Sequence, residues 1–117
     1  ILVVDDIADN VEILRMRLAS LGYEVVVAED GEQALAKVRE TLPDLILMDI
    51  QMPVMDGYEA TRRIKADPAL KAIPVIAVTS YALSGDEEKA RTAGCDGYVA
   101  KPFSPRQMLA KVRETIG

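Results

Sequence analysis

Short apolar runs alternate with longer stretches that are apolar only at helical spacing, and this alternation restricts the possible fold more than any other feature of the chain. Ile1–Val4, Val25–Ala28, Leu45–Met48, Pro74–Val78 and Tyr98–Ala100 read as strands. The first, third and fourth are apolar nearly throughout, as expected of strands in a parallel sheet covered on both faces. Between them, Val11, Leu14, Leu18 and Leu21 draw one stripe on a first helix. Ala34, Leu35 and Val38 do so on a second, and Met108, Leu109, Val112 and Ile116 on the last. A short third helix is expected near Tyr58–Lys65. A polar fourth near Ser84–Ala93 has Ala90 and Ala93 as its inward positions.

Punctuation agrees with this division. Gly22, Gly94 and Gly117 follow helical stretches, where a left-handed C-cap residue is expected. Asp30-Gly31, Asp56-Gly57 and Asp96-Gly97 read as turn pairs, and Pro68 and Pro74 bracket the loop into the fourth strand. There is no internal repeat and no linker. The expectation is one domain over residues 1–117: a doubly wound, three-layer α/β fold of five β-α units.

Composition excludes several functions. The chain carries 14 basic and 19 acidic residues, a formal charge of −5, so no broad basic field suggests nucleic acid or an anionic membrane. Its apolar runs are far too short to span a bilayer, and the expected location is the cytoplasm. Cys95 is the single cysteine and there is no histidine, which removes Ser-His-Asp and Cys-His schemes and any histidine metal ligand. Cys95 reads as inert and partly buried. Any chemistry must come from Asp, Glu, Lys, Thr, Ser and Tyr.

Doubly wound folds place their sites beyond the carboxyl ends of the strands, where strand order reverses. Asp5 and Asp6 follow the first strand, Asp49 the third, Thr79 and Ser80 the fourth, and Lys101 the fifth. In a sheet of order 2-1-3-4-5, strands one and three are neighbours and their three carboxylates converge. Such a cluster repels itself unless a cation compensates, and Mg²⁺, with its preference for oxygen ligands, fits (Mn²⁺ is the alternative ion). The parts for phosphoryl transfer are then present. Asp49, alone at the end of a central strand, is the best nucleophile. Asp5 and Asp6 are the metal-holding pair, Lys101 neutralises a phosphoryl oxygen and Thr79 donates to another. Asp9 reads instead as a cap of the first helix. Thr79 can also be an ordinary β-branched strand end, and Tyr98 plain packing. A cis Lys101-Pro102 bond would swing the lysine back over the strand ends.

"VVDD" at Val3–Asp6, "DLILMDIQMPVMDG" at Asp44–Gly57, "VIAVTS" at Val75–Ser80 and "GYVAKPF" at Gly97–Phe103 occur in that order. The whole chain resembles the receiver domain of two-component response regulators, the CheY-like superfamily. The resemblance implies a sheet of order 2-1-3-4-5. It makes Asp49 the acceptor of a phosphoryl group from a histidine of a sensor kinase or phosphotransfer protein, and gives Asp5 and Asp6 to Mg²⁺ together with the backbone carbonyl of Gln51. Thr79 becomes the switch hydroxyl, Tyr98 the switch aromatic and Lys101 the phosphoryl-binding lysine. Pro53 and Gly57 become the residues that shape the loop after the nucleophile, and Pro102 the usual site of a cis bond. The output surface would be the face of the fourth helix, fifth strand and fifth helix, bordered by Phe103, Pro105 and Arg106. Tyr81, bulky and two residues past Thr79, is expected to shield the acyl phosphate from water.

Two rivals fit less well. A phosphatase of the haloacid dehalogenase type needs Asp-x-Asp after the first strand, where this chain has adjacent Asp5 and Asp6. A flavin carrier needs a phosphate-cradling loop there, which two carboxylates would repel. A receiver fold without phosphorylation is the third alternative. No DNA-binding or enzymatic output segment lies within these residues, so the expectation is signalling by contact between proteins rather than turnover of a substrate.

Overall fold

The strands and helices alternate as the hydrophobic pattern requires. The computed structural model describes residues 1–5, 8–49, 57–79, 86–100 and 105–116. Along them run β1 (Leu2–Val4), α1 (Ala8–Ser20), β2 (Val26–Ala28), α2 (Gly31–Thr41), β3 (Ile46–Asp49), α3 (Gly57–Ala66), β4 (Val75–Thr79), α4 (Asp86–Ala93), β5 (Gly97–Ala100) and α5 (Pro105–Ile116). The strands form one parallel sheet of order β2-β1-β3-β4-β5, as expected. Strand limits differ by a single residue from the sequence reading. β3 and β4 gain Asp49 and Thr79, so both candidate site residues close their strands rather than follow them.

Alternation along the strands sorts the core into two layers. Leu2, Val4, Ile46, Met48 and Val75 pack with Ala34, Leu35 and Val38 of α2 and Ala60 and Ile64 of α3. Val3, Leu47, Ile76 and Val78 point the other way, onto Val11 and Leu18 of α1 and Met108 and Val112 of α5. Strands buried on both faces in this way have no solvent side, which is why they read as unbroken apolar runs.

Three helix boundaries differ from the sequence reading, each for a local reason. Leu21 does not continue the stripe of α1: the helix ends at Ser20, Gly22 turns the chain at φ +91°, and Leu21 is left 43% exposed. Asp9 is the second residue of α1 rather than its cap. Asp30-Gly31 is a helix start and not a turn. Asp30, in extended backbone, accepts from the Gln33 amide at 2.8 Å, while Gln33 Oε1 accepts from the Glu29 amide at 3.0 Å, an arrangement close to a capping box. Gly97 opens β5 and Gly57 opens α3, while Asp56 of the expected Asp56-Gly57 turn lies outside the described residues. Gly94, at φ +104° after α4, is the C-cap that was expected. Gly117 lies outside the described residues.

Candidate functional site

β1 and β3 run in parallel with Val4 opposite Met48, so the next residue on each, Asp5 and Asp49, stands at the same level of neighbouring strands. Parallel strands lie about 5 Å apart. The Asp5 amide still donates to the Ala28 carbonyl at 3.1 Å, which holds β1 in the sheet up to the carboxylate. Both side chains are buried, Asp5 at 8% exposure and Asp49 at 3%. By alternation, Asp49 shares the face of Leu45 and Leu47. Carboxylates brought together on adjacent strands repel one another where both are ionised. A cation at this edge would turn that repulsion into attraction, and all-oxygen donors suit a hard divalent ion.

β4 lies on the other side of β3, with Val78 paired to Asp49. Thr79 is the last residue of β4 and pairs with Ala100 of β5, while Ala77 pairs with Tyr98. The sheet therefore brings Asp5, Asp49 and Thr79 to the carboxyl ends of three successive strands, at the reversal between β1 and β3. Tyr98 sits one strand further along. It is half-buried and, like Tyr58 and Cys95, packs against Ala77 and Ala90. Gly57, expected to shape the loop after the nucleophile, is buried at the head of α3. Asp6, Gln51, Pro53, Lys101 and Pro102 lie outside the described residues, as do Tyr81 and Phe103. Asp5 and Asp49 are the carboxylates that β1 and β3 bring to this edge, and among the described residues no three His, Cys, Asp or Glu side chains gather as a metal site.

Cys95 behaves as its isolation suggested. Burial pushes its thiol up from the ordinary value, against the smaller opposite effect of its contact with Thr61 Oγ1 at 3.8 Å. A thiol held protonated is a poor nucleophile. Thr61 is itself buried and donates to the Gly57 carbonyl at 2.7 Å, which ties the head of α3 to its second turn.

Sequence reasoning missed two features, one beside Tyr98 and one at the opposite, amino ends of the strands. Tyr58 was read only as part of a short helix, yet it shares a cluster with Tyr98. Lys65 enters the sequence reading only as the end of that helix, yet its Nζ donates to the Lys71 carbonyl at 3.1 Å, the Ile73 carbonyl at 2.8 Å and Asp96 Oδ2 at 2.8 Å. Nothing local marks either one, since both depend on which element packs opposite.

Known proteins share this fold. The family model of the response regulator receiver domain matches residues 1–113. The polar-differentiation response regulator DivK of Brucella anthropi is 41% identical over 117 residues, all of this chain and 95% of DivK. Among solved structures, the receiver domain of sensor histidine kinase PA1611 from Pseudomonas aeruginosa PAO1 has a magnesium ion coordinated in its active-site cleft. It matches with a TM-score of 0.91 at 40% identity, over 99% of this chain and 95% of that one. Chemotaxis protein CheY4 of Vibrio cholerae matches with a TM-score of 0.92 at 31% identity, over 97% of this chain and 95% of CheY4. A five-stranded parallel sheet with two buried carboxylates at its topological reversal, in a chain that the family model matches almost from end to end, thus has one consistent identity: the chain belongs to the response regulator receiver domains, the phosphoacceptor modules of two-component signalling.

Proposed function

We propose that Asp49 is the phosphoacceptor of this receiver, taking the phosphoryl group from a phosphohistidine on a sensor histidine kinase or phosphotransfer protein. The observation that carries this reading is the placement of Asp49 as the last residue of the central strand β3, 3% exposed, level with Asp5 on β1. An Asp49 carboxylate oxygen attacks phosphorus, a P–O bond forms, the P–N bond to the donor histidine breaks, and the departing nitrogen keeps the electron pair and takes up a proton. Such transfer depends mostly on positioning and charge stabilisation, so a chain without histidine can perform it. The group resides on the protein's own side chain and leaves by hydrolysis there, which makes this a signalling module and not a turnover enzyme.

Asp5 and Asp49 supply oxygen donors of the kind Mg²⁺ takes, with Asp6 and the Gln51 carbonyl as the remaining protein ligands. The ion, when bound, neutralises charge between nucleophile and phosphoryl oxygens. Lys101 and Thr79 take the other phosphoryl oxygens. Pro53 and Gly57 shape the loop after Asp49, and Pro102 orients Lys101. Thr79 and Tyr98 form the switch. Residues 1–117 act as one receiver unit, working in the cytoplasm, and no helix among the described residues is long and apolar enough to cross a membrane. The output face is α4, β5 and α5, where Arg106 is exposed in the first turn of α5.

Incubation with acetyl phosphate and Mg²⁺, followed by intact mass measurement, tests the assignment. The wild type gains one phosphoryl group, chelation of Mg²⁺ with EDTA prevents it, and Asp49→Asn does not gain it. Incorporation undiminished in Asp49→Asn would remove Asp49 from its role.

A further inference from the structure

Ala77 of β4 and Ala90 of α4 form a small buried floor on the sheet face opposite α1 and α5, and the half-buried side chains of Tyr58, Cys95 and Tyr98 pack on it. The Tyr98 backbone is held beside Ala77 by their pairing in the sheet. Tyr58 arrives from the other side. It is the second residue of α3, directly after buried Gly57, on the stretch of chain that leaves Asp49. Alanine at both floor positions leaves the space above them to the aromatic rings, and in a close-packed interior the volume one ring takes is denied to the other.

We infer that Tyr58 is a positioning residue for the switch: it sets how deeply the Tyr98 ring settles over Ala77 and Ala90, and so the balance between the two packings of Tyr98. This rests on the reading of Tyr98 as the switch aromatic. It adds a route by which the segment leaving the phosphoacceptor bears on that switch directly, in parallel with Thr79. The ring of Tyr58 does this by bulk, so its hydroxyl is dispensable. A single large neighbour that favours one of two packings shifts their ratio by roughly three- to tenfold.

The test uses the four tyrosines, Tyr23, Tyr58, Tyr81 and Tyr98, labelled as 3-fluorotyrosine and followed by ¹⁹F NMR without and with Mg²⁺ and beryllofluoride, a mimic of the acyl phosphate. Tyr98→Phe assigns the Tyr98 signal. That signal is expected to move in the wild type when beryllofluoride is added. In Tyr58→Ala it already lies part-way to the liganded position before addition, a rise of about three- to tenfold in that population, whereas Tyr58→Phe matches the wild type. Tyr58→Leu serves should the alanine variant fold poorly, and melting temperatures are recorded in parallel. A purely structural Tyr58 would lower the melting temperature without moving the Tyr98 signal, and that result overturns the inference. A wild-type Tyr98 signal indifferent to beryllofluoride removes the switch reading itself and this inference with it, so the wild-type spectrum alone tells the two failures apart.

Discussion

Lys65 Nζ of α3 lies 2.8 Å from Asp96 Oδ2 in the link into β5, and the same carboxylate oxygen accepts from the Val75 amide at 2.9 Å as β4 begins. The Asp96 amide returns to the Val75 carbonyl at 2.7 Å. All three Nζ donors are used, two of them on the carbonyls of Lys71 and Ile73. One lysine thereby fastens α3, the connection into β4 and the link into β5, at the amino ends of the strands, far from Asp49.

Lys65→Met keeps the apolar stem and removes the donors. The Lys65 side chain is only 18% exposed, so the loss is expected to be about 1–3 kcal/mol, read as a lower urea midpoint at unchanged m-value. Asp96→Asn keeps an acceptor for Val75 and should cost less. Acetyl phosphate incorporation at Asp49 should match the wild type in both variants. Loss of incorporation at unchanged stability would contradict the separation of the two ends.

Positive-φ residues give a graded series. Gly94 has φ +104°, and a Cβ there would lie 2.9 Å from Lys65 Cγ, on a side chain pinned at its far end. Gly94→Ala combines backbone strain with that clash and is expected to cost about 2–3 kcal/mol. Gly22, at φ +91°, has open space where its Cβ would go, so Gly22→Ala should cost only about 1 kcal/mol. Leu42 reverses the sign. It caps α2 at φ 45° with 61% of its surface exposed, so Leu42→Gly relieves left-handed strain and sacrifices little packing. Its expected gain is about 0.5–1 kcal/mol after the added entropy of the unfolded chain. Thermal melts of the three variants check the order.

Much of this was legible in the chain because the signals are local. Alternating apolar runs gave the elements, and the acidic ends of two of them gave Asp5 and Asp49. The Leu42 cap was not legible, since a helix ending in the left-handed region without glycine leaves little trace beyond Pro43 after it. Leu21 misled because the apolar period continues one step past the point where Gly22 ends the helix. Tyr58 and Lys65 owe their roles to neighbours 40 and 31 residues away, Tyr98 and Asp96, and such pairings depend on layer packing that no short window contains.

Burial raises the Cys95 thiol above its ordinary value, with the contact to Thr61 acting weakly in the other direction. A folded-state value above the unfolded one contributes stability that is complete below the unfolded pKa and lost as pH rises through the folded pKa. Wild type should therefore lose more stability than Cys95→Ala between about pH 8 and 10, seen as converging or crossing melting temperatures. Iodoacetamide should alkylate Cys95 slowly in the native protein and rapidly in urea. Equal rates in both would show the thiol to be open.

Glu59 accepts from Arg63 Nε and Arg62 Nη1, both at 3.2 Å, and the two guanidinium groups hold its carboxyl below the usual range. A lowered folded-state value gives stability that is present above the unfolded carboxyl value and lost as pH falls through the folded one. Glu59→Gln should accordingly melt below the wild type at pH 7 and together with it at about pH 2. Because the cluster is exposed on α3, the gap at pH 7 should be small and should shrink in high salt.

With Asp49 as the proposed acceptor, a protein phosphodonor would bring its histidine to the carboxyl ends of the strands, and α1 follows β1 at that edge. Two of the large apolar side chains exposed among the described residues lie on this helix, Ile13 at 58% and Met16 at 63%. They stand about 8 and 12 Å along the axis from Ala8, the first residue of α1, within the reach of a patch of about 800 Å² centred on the site. A phosphodonor resting on this rim would cover them, and a charge placed among them would oppose docking without touching Asp49. Met16→Glu is expected to slow transfer from the cognate kinase or phosphotransfer protein by about tenfold or more and to leave labelling by acetyl phosphate as in the wild type. Equal slowing with both donors would place the damage in the acceptor site, and unchanged rates with both would place the docking surface elsewhere.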